Sequence, residues 1–552
     1  QSMYQYSESD QTLIEERAAQ FKNQTRRFLD GDMEPEEFQQ HRLRNGLYLQ
    51  KLAPMLRVAI PYGMLSSNQL RKLAYISEKY DKGYGHLTTR QNMQFNWPKL
   101  EQVPEILEQL SSVQMHAIQT SGSCIRNVTA DQFAGVAGDE LEDPRPWAEM
   151  IRQWSTLHPE FNWLPRKFKI AVSGSDHDRA AVKVHDIGLK LVTKENTTGF
   201  QVWVGGGLGR TPIIASEIKP FLDKEHLLTY LTAVLRVYNR LGRRDNKYKA
   251  RIKILVKALG AETFAQRVES EWLTLKDGPD TISQVDIDQF KRCFSHPDYL
   301  DLNTKPIERL AGTDTQSQAW LDHNVLPHKK TGYAIVNISL KNLGTAPGDI
   351  TAEQMNLIAE LADDYSFGEI RVTHEQNLVL ADVRQSELLN LWQKLKKADL
   401  ATANLGLISD VICCPGGDFC SLANARSIPI AEAIQSQYQQ IQEVIDIGAV
   451  DINISGCMNA CGHHHVGNIG VLGVDKKGQE YYQVSVGGNA SEQTQLARIL
   501  GPAFPAEEIP QAVDRLVQCY RQYRLPQENF IQTFNRVGID AFKVAAYPGI
   551  AA

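Results

Sequence analysis

The chain has 552 residues, 59 basic against 65 acidic side chains for a net charge of −6, and 42% hydrophobic residues. At roughly 150 residues per domain this length predicts three or four domains with sizeable cores, and the balanced composition carries no nucleic-acid-binding or disorder signature. No apolar run reaches the ~18 residues of a membrane span. The opening Gln1-Ser2-Met3-Tyr4 lacks the basic and apolar stretches of a secretory signal, and Gln1 and Ser2 read as additions ahead of Met3. Four of the eight cysteines, Cys124, Cys293, Cys413 and Cys519, are outside the window described below. Free thiols suit a reducing compartment, and the expected location is cytoplasmic.

In chain order, residues 1–50 carry Glu, Gln and Arg at helical spacing and predict a helical arm. A strand is expected at 55–60, a helix over 67–80 capped by Ser67, a strand over 85–95 and a helix over 103–110. This β-α-β-α unit, residues 51–115, is too small to bury both faces of its sheet alone. Residues 116–300 form a first larger module and 301–330 a linker. A second small unit occupies 331–400, with strands at 334–340 and 369–380 around a helix at 351–362, and a second larger module follows over 401–552.

The halves repeat one another. Thr373-His374-Glu375-Gln376-Asn377 aligns with Thr88-Thr89-Arg90-Gln91-Asn92 at an offset of 285. Ile452-Asn-Ile-Ser-Gly456 aligns with Ile170-Ala-Val-Ser-Gly174, and Gln483-Val-Ser-Val-Gly-Gly488 with Gln201-Val-Trp-Val-Gly-Gly206, both at 282. Segments recurring in order at nearly one offset indicate a duplicated module of about 280 residues. Such halves pack about a pseudo-twofold axis with the site in the crevice between them.

The halves differ where chemistry would differ. Only the second has a cysteine window, Cys414-x5-Cys420 and Cys457-x3-Cys461, four thiols within 48 residues. Four thiolates are the ligand set of a cubane iron–sulfur cluster or of zinc. The five-residue gap is loose for zinc, so a cluster is favoured over zinc and over four small buried hydrophobes. The first half instead carries cations. Arg57 sits in the apolar strand Met-Leu-Arg-Val-Ala-Ile, where a lone charge is costly. Lys167 and Lys169 alternate along one strand face, opposite Phe168 and Ile170. Solvated edge lysines would give the same pattern, but with Arg90 and Arg126 the set points to an anion pocket.

These motifs resemble the siroheme- and [4Fe–4S]-containing nitrite and sulfite reductases, over nearly the whole chain from Met55 to Gly538. The carriers are Cys414-x5-Cys420, Ser455-Gly-Cys-Met-Asn459-Ala-Cys461-Gly462, Thr88-x-Arg90-Gln91, Leu164-Pro-Arg-Lys167-Phe-Lys169 and both Val-Gly-Gly motifs. The resemblance implies an α+β fold: internally duplicated, with two ferredoxin-like half-domains and two larger α/β modules for siroheme and cluster about a pseudo-twofold axis. It implies one [4Fe–4S] cluster on Cys414, Cys420, Cys457 and Cys461, with Cys461 also axial to siroheme iron. Arg90, Gln94, Arg251 and Asn459 are expected to hold siroheme, whose eight carboxylates suit bidentate arginines. Gly206, Gly207, Gly487 and Gly488 would let backbone approach the macrocycle. Arg57, Arg126, Lys167 and Lys169 are the expected substrate set.

Three departures stand out. His86 occupies a position where the family often has arginine, which would weaken one carboxylate contact. Three consecutive histidines, His463 to His465, follow the last cysteine; a face toward the cofactor is favoured over a separate metal site. Cys413 adjoins Cys414 and is not the expected ligand. The second lysine favours doubly charged sulfite, and hence six-electron reduction to sulfide, over nitrite, the alternative substrate. A non-catalytic iron–sulfur carrier is the alternative from another class. With no Gly-x-Gly-x-x-Gly after a strand and no flavin domain, electrons are expected from an external ferredoxin or flavoprotein reductase subunit. No nucleic-acid or membrane partner is expected.

Overall fold

A computed structural model describes residues 5–303 and 314–549; part of the expected linker, residues 304–313, lies outside the described residues. The two small units each form an antiparallel sheet with two covering helices, and each sheet is completed by the other half. The first sheet orders its strands Leu47–Leu49, Pro54–Val58, Met93–Phe95, Tyr84–Leu87 and then Asp349–Thr351 from the second half. The second orders Val325–Pro327, Tyr333–Ile338, Leu378–Arg384, Glu369–Val372 and then Met64–Ser66 from the first. The exchange is reciprocal: Asp349 pairs with His86 and Thr351 with Tyr84, while Glu369 pairs with Ser66 and Arg371 with Met64.

Each donated strand runs straight into a helix with the same start signal. Ser66 and Gln69 form a capping box ahead of Ser67–Tyr80, and Thr351 and Gln354 form one ahead of Ala352–Tyr365. The cap is thus Ser66, one residue earlier than expected; the Ser67 hydroxyl donates to Asp363 across the halves at 2.6 Å. The two helices pack on one another. Leu70, Leu73, Ile76 and Phe95 share one core with Ile338, Met355, Ile358 and Leu380. A sheet too small to bury itself has become half of a larger core, and its exposed edge is paired.

The long strands expected at 85–95 and 369–380 are each broken into two by a turn. In both, a threonine hydroxyl takes the backbone amides that a continuous strand would offer its neighbour. Thr88 Oγ1 accepts from the Arg90 and Asn92 amides, and Thr373 Oγ1 from those of Glu375 and Asn377. Gln91 and Gln376 then sit at the same left-handed place, φ 62° and 63°, aiming their amides across the junction. Gln91 donates to Val372 O (3.1 Å) and accepts from Ala130 N (3.2 Å). Gln376 donates to Leu87 O (3.0 Å) and Cys413 O (2.8 Å) and accepts from Cys413 N (2.9 Å).

The larger modules each add a mixed sheet. In the first, Ile170–Ser173 lies parallel to Thr129–Ala130 and Ile187–Lys194, followed by antiparallel Thr197–Val204 and Ser216–Asp223. In the second, Ile452–Ser455 lies parallel to Ile412–Cys413 and Ile469–Lys476, with Gln479–Val486 antiparallel beyond. Each module has its own buried core, and the N-terminal helices Glu8–Leu29 and Pro35–Arg44 lie against the first half-domain through Phe21 and Phe38.

Replacing Gln376 by alanine strips a buried partner from two carbonyls and one amide. This costs about 3 kcal/mol or more at roughly 1–3 kcal/mol per orphaned group, read as a lower midpoint of guanidinium unfolding followed by circular dichroism.

Candidate active site

The junction encloses a cavity whose walls come from both halves. Arg57, Arg90, Gln94, Arg126, Lys167, Lys169 and Arg251 line it from the first, and Cys414, Cys420, Cys457, Asn459 and Cys461 from the second. Every expected anion-binding side chain and every expected cluster cysteine therefore meets in one space. Gly206, Gly207, Gly487 and Gly488 are not among its lining residues. A Cβ on Gly206 would lie 2.9 Å from His185 O, one on Gly488 would lie 2.5 Å from Gly467 O, and one on Gly487 would enter the Phe534 ring. For these three, packing within the protein accounts for the missing side chain.

Sheet register explains how the cations reach the cavity. Arg57 pairs with Gln94, Gln94 with His86 and His86 with Asp349, giving one row across four strands. Residues directly opposite one another project from the same face, so Arg57, Gln94 and His86 all line the cavity. His86 Nδ1 lies 2.8 Å from Asp349 Oδ1, so the histidine is tied to the strand donated by the other half.

Arg57 and Arg126 converge on one acceptor, the Thr120 carbonyl, at 3.0 and 3.2 Å. Arg57 Nε is buried without a partner in the described structure. Arg90 is engaged with Asn127 O (3.1 Å), Thr129 Oγ1 (3.3 Å) and Ile170 O (3.3 Å), all neutral acceptors. Lys167 and Lys169 line the cavity while Phe168 and Ile170 are fully buried on the opposite side. The regular strand begins only at Ile170, but Phe168 bridges to Ile125 and keeps the alternation going. Asp186 meets this charge, accepting two hydrogen bonds from Arg251 and one from the Lys169 amide.

Positive charge here outruns its carboxylates, and the lysines show it. Burial, with Arg251 and Arg126 adding to it, brings Lys167 down to about 7. Burial together with Lys167 and Arg251 holds Lys169 well below the ordinary lysine value. Ammonium groups so placed are short of anions.

Opposite them, the Cys414 thiol accepts from the Gly456 amide at 3.2 Å, and Ser427 donates to the Cys414 carbonyl at 2.7 Å. Burial pushes this thiol up to about 12, with Cys461 contributing. Burial also raises Cys420 and Cys457. Among the described residues no three His, Cys, Asp or Glu side chains converge on a point suited to a single metal ion. Cys413 is buried, its thiol turned back to the Cys414 carbonyl. The histidines diverge: His463 lines the cavity with Nε2 3.4 Å from Thr89 Oγ1, His464 is buried, and His465 Nε2 lies 2.8 Å from Gly209 O.

Some residues escaped the sequence reading. Lys253 is buried, beside the Leu208 carbonyl and Gly207; its signal was the alternation Arg251-Ile-Lys253. Tyr48, assigned to the arm, lines the cavity beneath Arg57, whose guanidinium lies 5.2 Å from its ring centre. No local pattern marks it. Gln376 also lines the cavity and fixes the Cys413 backbone; the repeat aligned it with Gln91 but gave no role.

Duplicated ferredoxin-like half-domains joined to modules that bring thiols and cations together define a redox enzyme of the class handling small oxyanions. Comparison with known proteins agrees. Residues 121–275 and 407–547 match the nitrite and sulphite reductase 4Fe-4S domain, and residues 50–113 and 327–398 the nitrite/sulfite reductase ferredoxin-like half domain. The assimilatory ferredoxin-dependent nitrite reductase of Haloferax mediterranei is 30% identical over 89% of this chain and 83% of its own. Sulfite reductase [ferredoxin] 1 of Mycolicibacterium paratuberculosis is 27% identical over 86% and 81%. The NirA protein of Mycobacterium tuberculosis superposes with a TM-score of 0.77 at 25% identity, covering 93% of this chain and 92% of that one. The chain belongs to the nitrite/sulfite reductase family of oxidoreductases.

The neighbours Cys413 and Cys414 offer a test of the expected ligand set. If Cys414 is a ligand and Cys413 is not, Cys414→Ser is expected to lose most of the protein's iron and acid-labile sulfide and Cys413→Ser to keep both at wild-type stoichiometry; metal and sulfide analysis with low-temperature electron paramagnetic resonance checks it.

Proposed function

We propose that this chain reduces sulfite to sulfide, and that Cys414, Cys420, Cys457 and Cys461 would hold a [4Fe–4S] cluster, with Cys461 also the residue that would hold siroheme. The donor set suits both groups. Four thiols face the cavity too dispersed for one ion, and the cation wall is short of the carboxylates that a polyanionic macrocycle carries. Arg90, Gln94, Arg251, Lys253 and Asn459 are the proposed carboxylate contacts. When bound, siroheme and cluster would supply the redox chemistry of a multi-electron reduction.

The chain's own part is electrostatic and protonic. Arg57 and Arg126, held together by the Thr120 carbonyl, form a fixed fork for two oxygens of a trigonal anion. Lys167 and Lys169 approach from the neighbouring strand, adding charge where oxygen leaves as water. An ammonium whose affinity for its proton is lowered toward neutrality is a competent donor, and Lys167 fits that description. Tyr48, under Arg57, limits the guanidinium's motion.

The observation favouring sulfite is that both lysines, not one, line the cavity. Two charges added on one strand match a dianion better than a monoanion. A second reading, nitrite to ammonia, has its own support: relatives at 27–30% identity bear both names, with the 30% relative named for nitrite. The donor is proposed to be a ferredoxin, which those names share. Among the described residues no helix is long and apolar enough to cross a membrane, and a cytoplasmic location is proposed.

Steady-state reduction of both anions with methyl viologen as donor tests the choice. Lys169→Asn is expected to lower kcat/KM for sulfite about tenfold, the ~1.4 kcal/mol equivalent of one screened charge contact, and for nitrite by much less. Equal losses would remove the lysine pair as the discriminator.

Anion capture also carries a pH signature. The ammonium form attracts the anion and exists below its pKa, so KM rises as pH climbs through the Lys167 midpoint, which lies at about 7 with no anion beside it. Each anion brought beside it raises that midpoint. Lys167→Arg, which does not titrate in this range, flattens the rise; a pH profile of KM from 6 to 9 shows whether it does.

A further inference from the structure

The symmetry between the halves extends to a groove beside each half-domain, and the two grooves are filled differently. Matching hydrogen bonds fix the correspondence: the Ile60 amide donates to Asn92 Oδ1 and the Leu340 amide to Asn377 Oδ1, both at 3.0 Å. After the last helix of each half-domain, Gln114 and Asp399 stand at the same left-handed place, φ 61° and 55°. Tyr62 therefore matches Asn342, and His116 matches Ala401. Counted back from the helix C-caps Thr156 and Tyr438, Glu149 matches Ala431 and Arg152 matches Ile434.

In the first half the N-terminal segment closes the groove. The Tyr6 amide donates to Gln114 Oε1 at 2.9 Å, and the Arg152 guanidinium lies 4.8 Å from the Tyr6 ring centre. The His116 ring lies 6.2 Å from it, and Tyr62 donates to Glu149 at 3.0 Å. What remains between Tyr6, Tyr62, Gln69 and Gln114 is about 30 Å³. In the second half all four matching side chains are shorter. The equivalent space, between Asn342, Gln354 and Asp399, is a cavity of about 720 Å³. That lies within the roughly 300–1,000 Å³ of small-molecule sites. Among the described residues it shares no lining side chain with the cavity at the cysteines.

Its chemistry changes from rim to interior. Gln435 lines it, is buried, and has neither amide atom partnered among the described residues; Asn404 Oδ1 is buried and unpartnered in the same way. Buried polar atoms in a native structure have partners, so these await some. At the rim stand two exposed, opposite charges, Lys396 and Asp399, with Lys396 Nζ 4.9 Å from the Trp392 ring centre. Water would satisfy the amides, but it would leave the paired charges and the aromatic-sized space without a reason. We propose that this cavity binds a free aromatic amino acid of tyrosine type. The ring takes the space left by the four shortened side chains. Its hydroxyl, at once donor and acceptor, meets Gln435. The ammonium meets Asp399 as the Tyr6 amide meets Gln114, and the carboxylate meets Lys396. A tyrosine inside a polypeptide carries neither end charge, which argues for a free amino acid rather than a docked segment of a partner.

The test titrates full-length holoenzyme with L-tyrosine by isothermal titration calorimetry, with L-phenylalanine and N-acetyl-L-tyrosinamide as comparisons. The thermal unfolding midpoint is followed in parallel. One saturable site for L-tyrosine is expected, with a midpoint that climbs with ligand concentration. L-phenylalanine, lacking the hydroxyl, binds about tenfold more weakly. N-acetyl-L-tyrosinamide, lacking both charges, is weaker by about tenfold as well. Asp399→Asn and Lys396→Gln each weaken L-tyrosine about three- to fivefold, the range of exposed ion pairs, and leave the unliganded midpoint at its wild-type value. Gln435→Leu brings tyrosine and phenylalanine to the same affinity. Absence of saturable binding to the wild type overturns the proposal. So does binding that both rim variants leave unchanged, which would place the ligand elsewhere. N-acetyl-L-tyrosinamide binding as tightly as L-tyrosine also overturns it, and would make the cavity a docking site for a chain segment.

Discussion

The rest of the structure depends on the exchange of edge strands between the two half-domains. Neither small sheet can bury both of its faces alone, so each accepts a strand from the other and the two capping helices close over a common core. This locks the halves in one register. Because Asp349 must pair with His86, the row running through Gln94 to Arg57 is held at a fixed height above the second half. Because Gln376 must reach both Leu87 O and the Cys413 backbone, the adjoining Cys414 is held against that row. The chemistry sits at the junction because neither half contains it.

Duplication supplied two equivalent places, and the side chains chose between them. At the turn where the first half has Arg90, the second has Glu375. The row equivalent to Arg57–Gln94–His86 reads Asn337–Val379–Arg371. Arg371 is fully buried and spends its donors on Glu369 and on the Gln132 and Ala134 carbonyls. There, burial is matched by satisfied hydrogen bonds and a carboxylate, so the charge is structural. Around Arg57, Lys167 and Lys169 the carboxylates are too few, so the charge awaits a ligand. The backbone symmetry is retained and the electrostatic symmetry is not.

How much of this could be seen in the sequence follows from the same contrast. The cysteine window, the alternation at Lys167 and Lys169, and the offset of the repeat are local patterns, and all three have counterparts in the structure. The broken strands were hidden because the breaking agents, Thr88 and Thr373, are good strand residues whose hydroxyls capture local amides only once the chain turns. The strand exchange was hidden because Met64–Ser66 and Asp349–Thr351 are three residues each, too short for periodicity to register. Tyr48 and Gln376 reach the cavity through tertiary contacts alone. The glycines misled for a simpler reason: a Gly-Gly pair shows that a Cβ would clash, but not with what.

The depressed lysines also bear on how the site is completed. Burial and neighbouring cations make the charged form of Lys167 costly and bring it down to about 7. Lys169 is pushed the same way, more strongly. Anions placed among them reverse both effects, so filling the cavity with a polyanionic group draws protons in. That uptake, and the relief of repulsion among Arg57, Arg90, Arg126 and Arg251, makes cofactor binding and stability two sides of one equilibrium. The first half's cations then serve twice. On the reading proposed above, they would hold the carboxylates of the prosthetic group on one side and receive the substrate anion on the other, and the charge that is costly to bury in the protein alone is the charge those anions would offset.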